Sequence, residues 1–332
     1  MLLNYTPKKR YLVTGGCGFI GSHLTDALIE AGNSVVILDN LSTGKIENTH
    51  PQASLIIGDT TDYDAVEDAF INIDGCFHLA AIASVEKSVL DWSATHTVNS
   101  TSTVNVFQAA SRQDRKVPVV YTSSAAVYGD CNTTPIMEEA ATCPLTAYGV
   151  DKLSCDLNGS VAWNVHGVAN VGLRPFNVYG PRQDPTSPYS GVISIFADRI
   201  QRGQPITIFG DGHQVRDFVY VDDAVRTFIA AMKHLEVYPA AAGHEVYNLC
   251  TGRSNTINAV ANTIASITGN LIQKNYAPAR KGDIRTSVGD PSKILMQLGL
   301  QLDITLQDGL YRMLSDFNGF MLPQRHMQMR FN

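Results

Sequence analysis

The stretch Tyr11-Leu12-Val13-Thr14-Gly15-Gly16-Cys17-Gly18-Phe19-Ile20-Gly21 decides the fold. A short apolar run enters a turn whose glycines, Gly15, Gly18 and Gly21, are spaced three apart. A helical pattern from Ser22 to Ala31 follows and stops at Gly32. Glycines so placed permit a tight strand-to-helix turn, close backbone approach to a pyrophosphate, and tight packing of the helix on the loop. Beyond the helix, Ser34 to Asp39 (SVVILD) reads as a second buried strand.

The same alternation continues beyond it. Leu55 to Ile57 ends at Gly58-Asp59, Cys76 to Leu79 ends at Ala80-Ala81, and Val117 to Thr122 ends at Ser123-Ser124. Helices are expected over Asp91 to Arg112 and Thr146 to His166, and a further strand over Asn170 to Leu173. Near-continuous Val/Ile/Leu strands separated by helices mean a parallel sheet covered on both faces. The fold class is therefore α/β, a Rossmann-type doubly wound parallel sheet with a smaller mixed α/β C-terminal lobe. Residues 9–176 with about 212–242 would form the first lobe, 177–211 and 243–322 the second, and 323–332 a disordered tail. Pro- and Gly-bearing sequence from Gly180 to Gly191 is too irregular for sheet core and suits a substrate lobe. Within that lobe a helix is expected over Val192 to Arg202, a strand over Ile206 to Phe209, and helices over Thr256 to Thr268 and Ser292 to Leu298.

Composition narrows the class. At 332 residues, 44% hydrophobic and 17% charged, the chain is globular, with no apolar run long enough to span a membrane. Residues 1–10 lack a signal core, so the cytoplasm is the expected compartment. Six scattered cysteines without C-x-x-C spacing read as reduced thiols, and nine histidines without ligand spacing predict no metal site. A net charge of -6 argues against nucleic acid.

Asp39 closes the second strand 18 residues after Gly21, where a carboxylate accepts hydrogen bonds from an adenosine ribose and repels a 2′-phosphate. NAD is thus the expected cofactor, with a turn cap as the competing reading of Asp39. Asp59 is positioned for the adenine, and Leu79, Ala80 and Ala81 for the phosphates and ribose. About 130 residues beyond the loop, Tyr148 and Lys152 share one helix face. A phenol normally titrates near ~10, and positive charge beside it favours the phenolate, so the pair can act as a general base.

Together TGGCGFIGSHL, Asp39, Asp59, HLAA, Ser123 to Gly129, Tyr148-x-x-x-Lys152 and RPFNVYGPRQ resemble the extended short-chain dehydrogenase/reductases that act on nucleotide sugars, over nearly the whole chain. The resemblance is greatest to UDP-hexose and UDP-N-acetylhexosamine 4-epimerases. It implies NAD contacts from Phe19 and Ile20 in the loop, from Asn40, Ser42, Thr43 and Gly44 after Asp39, and from Thr60, Ala83, Asn99, Thr122 and Phe176. It implies a catalytic set of Ser124, Tyr148 and Lys152. Sugar, diphosphate and uracil would be met by Ser84, Asn177, Val192, Thr207, Phe209, Arg216, Arg280, Asp283 and Ser287. Nucleotide-sugar dehydratases carry Thr-Asp-Glu where this chain has Ser124-Ala125-Ala126, and decarboxylating relatives carry Glu at Ala126, so both chemistries are disfavoured.

The implied reaction is inversion at C4 through a 4-keto sugar: Tyr148 takes the 4-hydroxyl proton, Ser124 binds O4, and Lys152 serves the nicotinamide ribose and the phenol. Ser287 stands where strict UDP-glucose epimerases have Tyr, and Arg182 to Pro185 with Tyr189 resemble N-acetylhexosamine epimerases, so UDP-GlcNAc/UDP-GalNAc is favoured and UDP-glucose/UDP-galactose retained. Pro175, where Tyr is common, is a departure. A UDP-glucuronate epimerase, with Arg182, Lys87 or Arg285 facing the carboxylate, a keto-sugar reductase and a non-catalytic NAD- or nucleotide-sugar sensor are the alternatives. Surplus apolar positions on the two long helices, with the resemblance, imply a homodimer.

Overall fold

The computed structural model describes residues 8–185, 191–239, 243–280 and 283–317. Fourteen strands are assigned among them: β1 (Arg10–Thr14), β2 (Ser34–Asp39), β3 (Ser54–Ile57), β4 (Gly75–His78), β5 (Val119–Thr122), β6 (Asn170–Pro175), β7 (Asn177–Tyr179), β8 (Ile206–Phe209), β9 (Val215–Arg216), β10 (Phe218–Tyr220), β11 (His244–Leu249), β12 (Asn255–Thr256), β13 (Lys274–Ala277) and β14 (Thr286–Ser287). The first eight α-helices are α1 (Phe19–Glu30), α2 (Tyr63–Ala69), α3 (Val85–Leu90), α4 (Trp92–His96), α5 (Ser102–Arg112), α6 (Ala147–His166), α7 (Val192–Gln201) and α8 (Val221–Val237). Helices over Ile257–Thr268, Ser292–Leu298 and Leu306–Phe317 follow.

Seven strands form one all-parallel sheet in the order β11-β6-β5-β4-β1-β2-β3. Its alternate residues feed two cores. Val35 and Ile37 of β2 pack on one face, Val36 and Leu38 on the other, and Val120 of β5 opposes Val119 and Tyr121. Each such side chain contributes about 1.5–3 kcal/mol on burial, so both faces must be covered by helices. Strand order reverses between β1 and β4, and ligands of open α/β sheets bind outside the carboxyl ends of the strands at such a point. The second lobe is built on the pairs β8·β13 and β7·β10 and the three-stranded β12-β9-β14.

The structure alters two sequence expectations. His244–Leu249 belongs to the large sheet, beside β6, although its residues fall in the span expected for the second lobe. The helix expected over Asp91 to Arg112 is interrupted by a π-helical turn at Thr97–Thr101. That widened turn carries Asn99, whose Oδ1 accepts from the Ile82 amide at 2.8 Å while its Nδ2 donates to the Ile82 carbonyl at 3.1 Å. Tyr189, Lys281, Gly282 and the expected tail 323–332 lie outside the described residues.

One buried imidazole ties this edge together. Thr103 Oγ1 donates to the Asn99 carbonyl and so accepts from His78 Nε2 at 3.2 Å. His78 Nδ1 in turn accepts from Thr14 Oγ1 at 2.7 Å, and Thr14 Oγ1 accepts from the Leu79 and Ala80 amides. These partners select the neutral Nε2–H tautomer. Burial, aided by the Lys152 charge, pushes His78 down to about 3. Burial likewise lowers His23 and His244.

Below the ordinary histidine value the unfolded chain takes up a proton that folded His78 refuses, so stability falls as pH drops from about 6.5. With His78 at about 3, its share of the loss between pH 8 and pH 5 is on the order of 2 kcal/mol. Urea unfolding at the two pH values should show the parent losing more stability than His78→Gln by about that amount. Equal losses would contradict the assignment.

Candidate active site

The glycine turn leaves no space for side chains. Gly15 has φ +72°, and a Cβ there would come within 2.8 Å of the Ala80 nitrogen. A Cβ on Gly21 would overlap the Gly15 carbonyl, and one on Gly16 would meet Ile37 at 2.8 Å. Loop, α1 and the end of β4 are thus pressed together. The open amides at the start of α1 form a cradle of the kind that takes a pyrophosphate, with Phe19 and Ile20 half-buried beside it.

Asp39 lies buried at the end of β2, but its oxygens are already bonded: Oδ2 accepts from the Cys17 amide at 3.0 Å and Oδ1 from the Leu41 amide at 2.8 Å. Gly44 packs on this carboxylate so closely that a Cβ would come within 2.8 Å of Oδ1. Asp39 therefore caps the turn and keeps lone pairs for ribose hydroxyls, so the two readings of it are compatible. The segment after it folds back over the glycine turn, through Lys45 N to the Cys17 carbonyl at 3.0 Å and Asn48 Nδ2 to the same oxygen at 3.1 Å. Ser42 and Thr43 are exposed at its bend. Asn40 Nδ2 donates to Asp59 Oδ2 at 2.8 Å, while the Thr61 amide and hydroxyl hold Oδ1. Although burial raises the Asp59 carboxyl, these bonds more than offset it and hold it below the usual carboxylate range. Thr60, buried behind Asp59, offers its carbonyl to Asn105.

The strand-end residues Leu79 and Ala80 present amides to Thr14, and the Asn99 clamp on Ile82 holds the loop with Ala81 and Ala83. Ser84 caps α3 by accepting from the Lys87 amide at 3.0 Å. These residues fit NAD: a glycine cradle, a strand-end carboxylate and small side chains at the switch point.

Catalytic candidates meet at the carboxyl end of β5. Ser124 caps a short 3-10 helix over Ala125–Tyr128, its Oγ accepting from the Ala126 amide at 3.1 Å. The hydroxyl proton is therefore available to a ligand. Thr146 caps α6, whose first turns carry Tyr148 and Lys152 on one face. A Cβ on Gly149 would lie within 2.8 Å of the Ala126 carbonyl, so this glycine brings the Tyr148 turn against the Ser124 segment. Tyr148 is half-buried, its amide donating to Ser88 Oγ at 3.3 Å. Lys152 is buried, and its ammonium donates to the Thr122 carbonyl at 2.8 Å, which leaves two protons for other acceptors. No carboxylate among the described residues pairs with it, and its positive charge is felt at buried His78.

Phe176 packs under the site against Gly289 and Cys250. Asn177 begins β7, its amide bonded to the Asp217 carbonyl. In the second lobe, Arg280 stacks over Phe209 with its guanidinium carbon 4.1 Å from the ring centroid. Arg216 Nη2 pairs with Asp283 at 2.5 Å, and burial pulls the guanidinium down from its usual range against the pull of Asp283. Ser287 pairs with Arg216 across β14 and β9. Thr207 is exposed on β8, and Val192 opens α7 half-buried. Sequence reasoning missed the His78 relay and the contacts of Asp156, Arg174 and Tyr128. The signal for Asp156 was its place one turn beyond Lys152. Among the described residues no helix is long and apolar enough to cross a membrane, and no cluster of ligating side chains could hold a metal.

Comparison with known proteins identifies the family. The model of the NAD dependent epimerase/dehydratase family matches residues 11–250. A putative UDP-glucose 4-epimerase of Methanocaldococcus jannaschii is 35% identical over 305 residues, covering 92% of this chain and 97% of that protein. The crystal structure of UDP-glucose 4-epimerase from Thermotoga maritima with UDP-glucose superposes with a TM-score of 0.88 at 36% identity, covering 93% of this chain and 99% of the other. UDP-N-acetylglucosamine 4-epimerase from Methanobrevibacter ruminantium, in complex with UDP-N-acetylmuramic acid, gives 0.87 at 36% identity, with 95% and 100% covered. With its glycine cradle, strand-end carboxylate and Tyr/Lys helix, this chain belongs to the NAD-dependent epimerase/dehydratase family.

Proposed function

We propose that the protein is a UDP-hexose 4-epimerase that interconverts UDP-GlcNAc and UDP-GalNAc and also accepts UDP-glucose and UDP-galactose. The observation that supports this reading is the closure of Gly149 on the Ala126 carbonyl, which packs the α6 turn of Tyr148 against the segment that Ser124 caps, where positions 125 and 126 are alanines. Such a set can move one proton at one oxygen, and it lacks the acid and base needed to eliminate water.

Bound NAD supplies the acceptor, and later the donor, of the C4 hydride. Tyr148 takes the proton of the 4-hydroxyl, and Ser124, whose oxygen already accepts from Ala126, donates to O4 and steadies the carbonyl that forms. Lys152 keeps one proton on the Thr122 carbonyl and offers the others to the nicotinamide ribose and the phenol. The keto sugar turns over while its diphosphate stays held, and protonation by Tyr148 completes inversion. Arg216 and Arg280 suit the diphosphate, and Phe209 backs the uracil, with Thr207 and Asn177 alongside.

Small Ser287, at the position where strict UDP-glucose epimerases have Tyr, supports the N-acetylated pair. Of the three candidates for a uronate carboxylate, Arg182 and Arg285 are engaged by Asp26 at 2.7 Å and Asp211 at 2.8 Å, which leaves Lys87 and favours the neutral sugars over glucuronate. An outward stripe on α6, Leu157 (63% exposed), Val161 (50%) and Val165 (70%), supports a homodimer through that helix. Six free cysteines fit a cytoplasmic location.

Purified protein without added cofactor should convert UDP-GlcNAc to UDP-GalNAc, followed by proton NMR. No change in UDP-GlcNAc or UDP-glucose, even with NAD supplied, would contradict the reading. Tyr148→Phe should lower kcat by about 10²–10⁴ with the UDP-sugar KM within about threefold. Sedimentation should give a dimer that Leu157→Glu with Val161→Glu splits, and a monomeric parent would refute that interface.

A further inference from the structure

Five elements at the carboxyl edge converge on one buried guanidinium. Asp156 lies one turn beyond Lys152 on α6, and its Oδ2 accepts from Arg174 Nε and Nη2, each at 3.0 Å. Its Oδ1 accepts from the Tyr121 hydroxyl of β5 at 3.1 Å. Arg174 comes from β6, two residues before Phe176. Its Nη1 donates to the Tyr128 hydroxyl at 2.8 Å and to the Glu138 carbonyl at 3.2 Å, and its guanidinium carbon sits 4.9 Å from the Tyr128 ring centroid. Tyr128 ends the short helix that Ser124 begins, and donates its own proton to Asn248 Oδ1 of β11 at 2.6 Å.

We propose that the Asp156–Arg174 pair is a positioning device for catalysis, holding the α6 turn of Tyr148 and Lys152 in register with the Ser124 segment. This rests on the reading of Ser124, Tyr148 and Lys152 as the catalytic set. A buried ion pair is a weak source of net stability, because desolvation offsets its attraction. What the planar fork supplies is geometry: three directions fixed at once, toward α6, the Ser124 helix and the Glu138 backbone. Burial pushes the Asp156 carboxyl up, with Arg174 opposing. Burial also works against the Arg174 charge, which Asp156 and Tyr128 nevertheless hold above its ordinary value. An apolar pair would fill the same volume without fixing any of these distances.

Two substitutions conserve charge and so isolate geometry. Arg174→Lys keeps the cation and loses the fork; Tyr128→Phe keeps the ion pair and removes its link to the Ser124 helix. Both would be compared with the parent as NAD-loaded holoenzymes, below their melting temperatures, with UDP-hexoses carrying hydrogen or deuterium at C4. Small displacements of reacting groups cost up to about 100-fold in rate, so kcat should fall about 10- to 100-fold, most in Arg174→Lys, with KM within about threefold. The C4 isotope effect should rise. Should Arg174→Lys fail to fold, Tyr128→Phe decides. A lowered Tm with parental kcat and isotope effect would mean a merely structural pair and overturn the proposal. A parent that turns over none of UDP-GlcNAc, UDP-glucose and UDP-glucuronate would overturn the functional reading and this proposal together, an outcome the parent alone reveals.

Discussion

The cofactor edge depends on His78 remaining uncharged. Buried between Thr14 and Thr103, it connects the ends of β1 and β4 to Asn99, which in turn clamps the Ile82 backbone. A proton on Nδ1 would leave two donors, Thr14 Oγ1 and the imidazolium, facing each other in a dry site, and the relay could not hold. The π-helical turn is part of the same solution. Its widened backbone carries Asn99, and π-turns recur at functional sites for this reason.

Apolar packing makes the sheet, but polar groups set its working edge. Both faces of β2 and β5 are buried by helices, which fixes where strands end without fixing how the loops beyond them turn. Those loops are held by Asp39 on Cys17 and Leu41, by Asn40 on Asp59, and by Lys152 on the Thr122 carbonyl. Nearly every one of these bonds is local or joins adjacent strand ends. In the second lobe Arg216 and Arg280 are each already restrained, by Asp283 and Phe209 respectively. Cations preorganised in this way lose little freedom when an anionic ligand arrives.

Much of this was legible in the chain. The strands with continuous apolar runs and the glycine spacing specify a parallel sheet with a cofactor turn, because both signals are local. The pair Tyr148 and Lys152 was legible because a helix places positions four apart on one face. His244–Leu249 was not, since its sequence is mixed and its membership of the large sheet is decided by β6, 74 positions away in register from Asn170. The π-turn was hidden because one inserted residue leaves composition unchanged. The Asp156–Arg174–Tyr128 network was hidden for a different reason: each member has an ordinary local reading, and only the packing of α6 on the sheet brings them together. Asp39 shows the limit of positional reasoning, since its carboxylate serves the turn as well as the place where a ribose would sit.

The proposed chemistry is confined to C4, with the hydrogen removed from one face and returned to the other. The most direct measurement is to convert UDP-GlcNAc deuterated at C4, with no added cofactor, and locate the label in the product by NMR. The product should be UDP-GalNAc with deuterium still at C4 and none in solvent. Loss of the label to water, or solvent deuterium entering C5 when the reaction is run in D2O, would contradict it.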